Sequence, residues 1–137
     1  MVKIIVNGAD AILGRLGSFV AKELLKGKSV LLINCEKIIV SGKKVGFVNN
    51  IKRKREMGRG SSLKGPKYIR QEDRLVKRII RGMLPWDRMK GREAYRRLRC
   101  EIGSADLKEE ELKGLKEFKH RKPRNYTYMN EIVRALK

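Results

Sequence analysis

Apolar residues recur along this chain with changing periods, and the changes mark the elements. Residues 2–6 are a short β-rich run that Asn7-Gly8 ends as a turn. Leu13, Leu16, Val20 and Leu24 then recur at spacings of three and four, with Arg15, Lys22 and Lys26 mostly on other faces. That pattern predicts an amphipathic helix, and Gly27 stands where a helix C-terminus is commonly capped. Residues 29–33 are almost continuously apolar, which suits a strand buried on both faces. Residues 38–40 predict another short strand, stopped by Ser41-Gly42. Strand, helix and strand in so short a stretch make a βαβ unit, which implies parallel strands with a right-handed crossover.

Helical spacing returns at residues 43–57, through Val45, Val48, Ile51 and Arg55. Residues 57–67 are rich in Gly, Ser and Lys and predict a loop. Residues 71–82 predict a helix with two stripes. Leu75, Val76, Ile79, Ile80 and Met83 form the apolar one, and Arg74, Lys77, Arg78 and Arg81 form the other. Gly82 and Pro85 stop it. Residues 88–97 predict a further helix with Arg88, Arg92, Arg96 and Arg99 along one side. The alternation of residues 98–102 adds a strand that Gly103 ends, and a last short helix follows at 130–136. An α/β class follows. Residues 2–6, 29–33, 38–40 and 98–102 are expected to share one sheet. Leu13, Leu16, Val20, Leu24, Leu31, Ile33, Ile79 and Leu98 are expected in the core. Residues 1–103 make the expected core unit, with 104–137 a charged C-terminal extension of the same domain.

Charge changes the picture most. The chain of 137 residues carries 35 Lys and Arg against 15 Asp and Glu, a net +20. Self-repulsion on that scale destabilises a compact state unless a polyanion screens it, so nucleic acid or an anionic membrane is the expected partner. Residues 1–42 carry a net +3, residues 43–99 a net +15, and residues 100–137 a net +2. A localised basic segment is the electrostatic footprint of a nucleic-acid binder. A normal solvated helix face mixes signs, and the two Arg stripes do not. Arg53, Arg55, Arg59, Lys64, Lys67, Arg70, Arg74, Arg78, Arg81, Arg88, Arg92 and Arg96 are therefore the candidate RNA-binding residues, mostly through phosphates. Glycine and serine between residues 58 and 65 would let backbone amides approach phosphate oxygens. Tyr68 and Trp86 either stack on bases or pack on the domain surface.

Other chemistries find little support. A P-loop ending in Gly27-Lys28-Ser29 would need glycine at position 22, which is Lys22, and would have to precede a helix, not follow one. Gly58-Arg59-Gly60 begins a dinucleotide motif, but Leu63 stands where the third glycine belongs. His120, the single histidine, lies among Lys119, Arg121 and Lys122 and reads as an exposed surface residue. Glu109, Glu110 and Glu111 read as a solvated run. Cys35 and Cys100 form no metal-ligand spacing and read as reduced core thiols. No catalytic residue, metal or cofactor is expected. There is no apolar run long enough to span a membrane. The three apolar residues after Lys3 are too few for a signal peptide, so a cytoplasmic site is expected. Two rivals stay open on composition alone: a small phosphate- or nucleotide-binding enzyme, and a free nucleic-acid chaperone.

Several words of the sequence narrow this. Ile12-Leu13-Gly14-Arg15-Leu16-Gly17-Ser18 leads into Val20-Ala21-Lys22 and Leu24-Leu25. Asn34-Cys35-Glu36-Lys37, Ser41-Gly42 and Gly65-Pro66 follow, then Arg81-Gly82-Met83-Leu84-Pro85, Gly91-Arg92-Glu93-Ala94 and Leu98. The pattern, from about residue 2 to Gly103, resembles the universal large-subunit ribosomal protein thirteen family, in its archaeal and eukaryotic form. The resemblance implies a three-layer α/β/α domain with a small, mainly parallel sheet. It also implies a structural, non-enzymatic role in the large ribosomal subunit, bound to ribosomal RNA beside neighbouring subunit proteins and joining early in assembly. Gly17 departs from the family's more usual alanine, and Asn7-Gly8 from a common Asp-Ala pair. Cys100-Glu101-Ile102 stands where a more aromatic strand is usual.

Overall fold

The structure is a computed structural model that describes residues 3–58, 67–104, 107, 115–118 and 120–137. Strand β1 (Lys3–Asn7) leads through a tight turn into helix α1 (Leu13–Leu25), and β2 (Ser29–Ile33) returns parallel to β1, pairing Ile5 with Leu31. Gly27, at φ +91°, ends the α1 turn, and its N–H donates to the Leu24 carbonyl. The left-handed backbone that this cap needs costs glycine nothing. A 3-10 turn (Cys35–Lys37) and β3 (Ile39–Ser41) precede α2 (Lys44–Glu56), α3 (Glu72–Arg81), α4 (Met89–Arg96) and β4 (Leu98–Cys100). Strands β5 (Lys116–Glu117) and β6 (Tyr126–Tyr128) and helix α5 (Met129–Leu136) complete the described elements.

The main sheet has the order β4-β2-β1-β5, and every pairing in it is parallel. The expected α/β class with a small, mainly parallel, four-stranded sheet is thus what the chain adopts. One strand of that expectation is corrected. Residues 39–41 do not join the sheet but pair antiparallel with Tyr126–Tyr128, as Ile39 with Tyr128 and Ser41 with Tyr126. Both edges of β2 are already filled, by β1 and β4. The short link from Ile33 to Ile39, with Asn34 left-handed at φ +54°, is also far below the dozen or so residues a parallel crossover needs. The fourth place in the sheet goes instead to Lys116–Glu117, which carries no apolar pattern at all.

Strand β2 is buried on both faces, as its apolar run predicts. Val30 and Leu32 join a large core with Leu16, Val20, Leu24, Leu75, Ile80, Leu98 and, from α5, Met129, Ile132 and Val133. Leu31 and Ile33 turn the other way, join Ile5, and are covered in part by Leu107 and Leu115. The resemblance implies a helical third layer, and among the described residues only Leu107 and Leu115 pack on that second face. Ile79 is a second correction. It is only partly buried, because the phase of α3 points Leu75, Val76 and Ile80 squarely at the core and leaves Ile79 at the margin. Met83 is likewise exposed at the end of the stripe. Its thioether runs across Gly17, where an added Cβ would stand 2.8 Å from the sulfur.

Several polar contacts lock the sheet ends. Asn7 Oδ1 accepts from the Ala9 N–H and the Asn34 amide, and the Gly8 N–H donates to the Ile33 carbonyl at 2.9 Å. An added Cβ on Gly8 would stand 2.9 Å from Ile38 Cγ1, so close approach accounts for glycine there. Glu23 is buried and accepts from Lys26 at 2.7 Å and Lys28 at 2.6 Å. Hydrogen bonds from Lys26 first, then Lys28, hold its carboxyl down to about 2. Cys35 is buried and Cys100 half-buried, both free. The neighbouring Cys100 thiol, with burial adding to it, pushes the Cys35 thiol far above its ordinary range.

Candidate nucleic-acid interface

The interface starts from the period of α3. Burying Leu75, Val76 and Ile80 leaves Arg74 and Arg78 exposed and Lys77 and Arg81 half-exposed along the opposite side. Among the described residues no carboxylate forms an ion pair with any of the four. After α3 the chain turns tightly, with the N–H groups of Gly82, Met83 and Leu84 donating to the carbonyls of Ile79, Ile80 and Arg81. Leu84 is buried and anchors the turn. Trp86 is thereby brought back over α3, with the Arg81 guanidinium carbon 3.8 Å from its ring centroid.

Helix α4 supplies the other side. Tyr95 meets Trp86 edge-on, centroids 5.2 Å apart at 89°, and Lys77 Nζ lies 5.0 Å from the Tyr95 centroid. Arg92 Nε donates to the Trp86 carbonyl at 3.0 Å. Two touching rings thus stand between two cations, in the order Lys77, Tyr95, Trp86 and Arg81, each ring held by a neighbouring charge. Burial raises the Tyr95 phenol, partly opposed by Arg81 and Arg78. Gly91 makes the approach of α4 feasible, because a Cβ there would overlap the Pro85 carbonyl oxygen. Beside Trp86 opens a groove of about 690 Å³, whose walls include Lys54, Tyr68, Arg78 and Arg81. Lys54 Nζ lies 5.9 Å from the Tyr68 ring centroid. Such a surface offers cations to phosphates and ring faces to bases at the same opening.

The twelve sequence candidates do not converge on one place. Arg78 and Arg81 line the groove beside Trp86, and Arg92 borders Trp86 from α4. Arg74 lies with Lys77 and Arg99 around a smaller opening near Cys100. Arg96 lines a third, of about 490 Å³, with Lys3, Arg97 and Arg99. Arg53, Lys67, Arg70 and Arg88 are exposed outside these openings. Arg55 is half-buried and donates to the Leu136 carbonyl at 3.0 Å, so it caps the end of α5. Arg59 and Lys64 lie outside the described residues, as does most of the expected loop at 57–67. Lys54, Lys77 and Arg99 are brought to these openings without having been among the candidates. The helical spacing that singled out Arg74 and Arg78 contained Lys77 as well. Trp86 is packed between Arg81 and Tyr95, so it is a built part of the surface and not a free ring. His120 is half-buried and its ring stands 6.2 Å from that of Phe118.

Among the described residues no helix is long and apolar enough to cross a membrane, and no cluster of three or more His, Cys, Asp or Glu is placed to hold a metal ion. Comparison with known proteins gives a consistent picture. The family model described as ribosomal protein L13 matches residues 2–106. The chain is similar to the large ribosomal subunit protein uL13 of Methanopyrus kandleri, 45% identical over 108 residues that cover 77% of this chain and 65% of that one. Its counterpart in Archaeoglobus fulgidus is 43% identical over 99 residues, covering 72% and 62%. That of Methanosphaera stadtmanae is 37% identical over 130 residues, covering 93% and 90%. The chain thus spans just under two thirds of the length of the first two relatives and nearly all of the third.

Proposed function

The chain belongs to the ribosomal protein L13 family, and on that premise we propose that it is a structural constituent of the large ribosomal subunit. It binds large-subunit ribosomal RNA mainly through phosphates and supports early subunit assembly beside neighbouring subunit proteins. It works in the cytoplasm as part of the ribosome and catalyses no reaction. The observation that carries the mode of binding is the α3 face. Arg74, Lys77, Arg78 and Arg81 present four cations at helical spacing, without a carboxylate partner among the described residues, in a chain of net +20. Placing four cations side by side costs self-repulsion that a phosphate backbone offsets. Arg53, Lys67, Arg70, Arg88, Arg92 and Arg96 add phosphate contacts at other places in this reading, with Arg59 and Lys64 contributing from outside the described residues. Arg55 contributes least, because part of its guanidinium is committed to Leu136.

The test is a salt titration of binding to a large-subunit ribosomal RNA fragment. Removing one cation that neutralises a phosphate should flatten the logarithmic salt slope by roughly 0.7–0.9. The pair Arg74→Gln with Arg78→Gln is expected to reduce affinity and flatten the slope by about 1.4–1.8. If the pair kept the parent's slope and affinity, α3 would be a solvated face.

A further inference from the structure

We infer that Arg15, Arg121 and Arg124 form a second phosphate-binding groove, through which the chain holds another stretch of RNA backbone beside the one on α3. The inference rests on the RNA-binding reading above. It adds a site built largely from the C-terminal residues, which carry little net charge. The groove has a volume of about 700 Å³, and its walls include Ile12, Arg15, Ser41, Arg121 and Arg124. It shares no lining residue with the opening beside Trp86. All three arginines are exposed, and no acidic side chain lines the groove among the described residues.

The arrangement is held from three sides. Ile12 bridges to Ile39, which sets the start of α1 beside β3. Ser41 pairs with Tyr126, and the Gly42 N–H donates to the Asn125 carbonyl at 2.9 Å, which sets residues 121–125 beside both. Lys122 then clamps the segment. Its ammonium lies 3.1 Å from Asp10 and donates to the Tyr128 hydroxyl at 3.1 Å, while that hydroxyl donates to Asp10 at 3.0 Å. Asp10 is thereby occupied by Lys122 and Tyr128, and the arginines are left for a ligand. The first turn of α1 adds to the same field. It has no acidic residue and no side-chain cap, and Gly14 leaves open space above its backbone. Planar guanidinium forks suit phosphate oxygens bidentately. A polyanion that presents phosphates repeatedly is the ligand that three such forks along one groove fit.

The experiment uses the full chain and two short oligouridylate strands, one labelled with an energy-transfer donor and one with an acceptor. The parent is expected to bring donor and acceptor together on one molecule. The triple variant Arg15→Gln, Arg121→Gln, Arg124→Gln is expected to bind one strand but lose the transfer, with a salt slope shallower by about two, at roughly 0.7 for each cation withdrawn from single-stranded RNA. The corresponding triple Arg→Lys variant keeps the charges and is expected to keep most of the slope. A Gln triple that bridges as well as the parent, with an unchanged slope, would overturn the groove and leave the α3 reading standing. Protection of the three arginines from phenylglyoxal by poly-glutamate but not by RNA would also overturn it, and would give the groove to an acidic protein neighbour. A parent that binds no strand at all would overturn the proposed function and the groove together.

Discussion

Two helical glycines of this chain should respond to alanine with opposite signs. Gly91 sits in the first turn of α4, buried against the Pro85 turn. An added Cβ would overlap the Pro85 carbonyl oxygen and stand 3.2 Å from Pro85 Cα. That oxygen cannot simply retreat, because it accepts from the Arg88 N–H at 3.1 Å and the turn is anchored by buried Leu84. Alanine gains about 1 kcal/mol of helix propensity over glycine. Against this stand roughly 1–3 kcal/mol of overpacking, at its upper end when backbone meets backbone, and about 1 kcal/mol if the Arg88–Pro85 hydrogen bond breaks. The expected net loss for Gly91→Ala is about 1–3 kcal/mol. With an unfolding entropy of about 2.1 cal/mol/K per residue, that lowers Tm by roughly 4–10 °C. Gly46 in α2 is the control, since nothing lies within 4 Å of its added Cβ. Gly46→Ala should raise stability by up to about 1 kcal/mol. Differential scanning calorimetry on parent and both variants decides it. A Gly91→Ala protein that melts at or above the parent would show that the Pro85 turn gives way freely. The account of how Trp86 is positioned would then fail.

Two further outcomes follow from the same structure. The Glu23 carboxyl is held near 2 against an ordinary 4.5, so its contribution is present above about 4.5 and disappears as pH falls toward 2. Urea midpoints across that window should fall less steeply for Glu23→Gln than for the parent, and parallel curves would mean that the Lys26 and Lys28 ion pairs add nothing. Iodoacetamide should modify half-buried Cys100 in the native protein and reach buried Cys35 only on unfolding, because burial and the adjoining thiol keep Cys35 protonated. Equal native labelling of both, followed by mass spectrometry, would contradict the packing around the 3-10 turn.

The parts of the fold legible in the sequence are those set by local burial. Leu13, Leu16, Val20 and Leu24 declare α1 because one helical face must leave water, and the unbroken apolar run of β2 declares a strand covered twice. Partners far along the chain were not legible. Strand β3 pairs with Tyr126–Tyr128, whose half-exposed aromatics resemble a surface stretch, and β5 is a charged dipeptide that pairs in parallel with β1 without any apolar pattern to announce it. The site divides the same way. Arg74 and Arg78 follow from the period of α3, whereas the tie between Arg55 and Leu136 joins residues 81 positions apart. Arg121 was visible as one of the cations around His120, but that it shares a groove with Arg124 and Arg15 was not, because Arg15 lies far from both in the chain. The net +2 of residues 100–137 says nothing of where the cations sit, and the pairing of β3 with Tyr126–Tyr128 and the Asp10–Lys122–Tyr128 clamp reveal it.

The central claim, that this chain is a resident part of the large ribosomal subunit, meets its most direct test in sedimentation. A native lysate from cells expressing the tagged chain is run through a sucrose gradient in high salt, and the tag is followed across the fractions. The chain is expected to travel with the large subunit and to stay there after the salt wash. Recovery at the top of the gradient, or release by salt into free ribonucleoprotein fractions, would contradict the account.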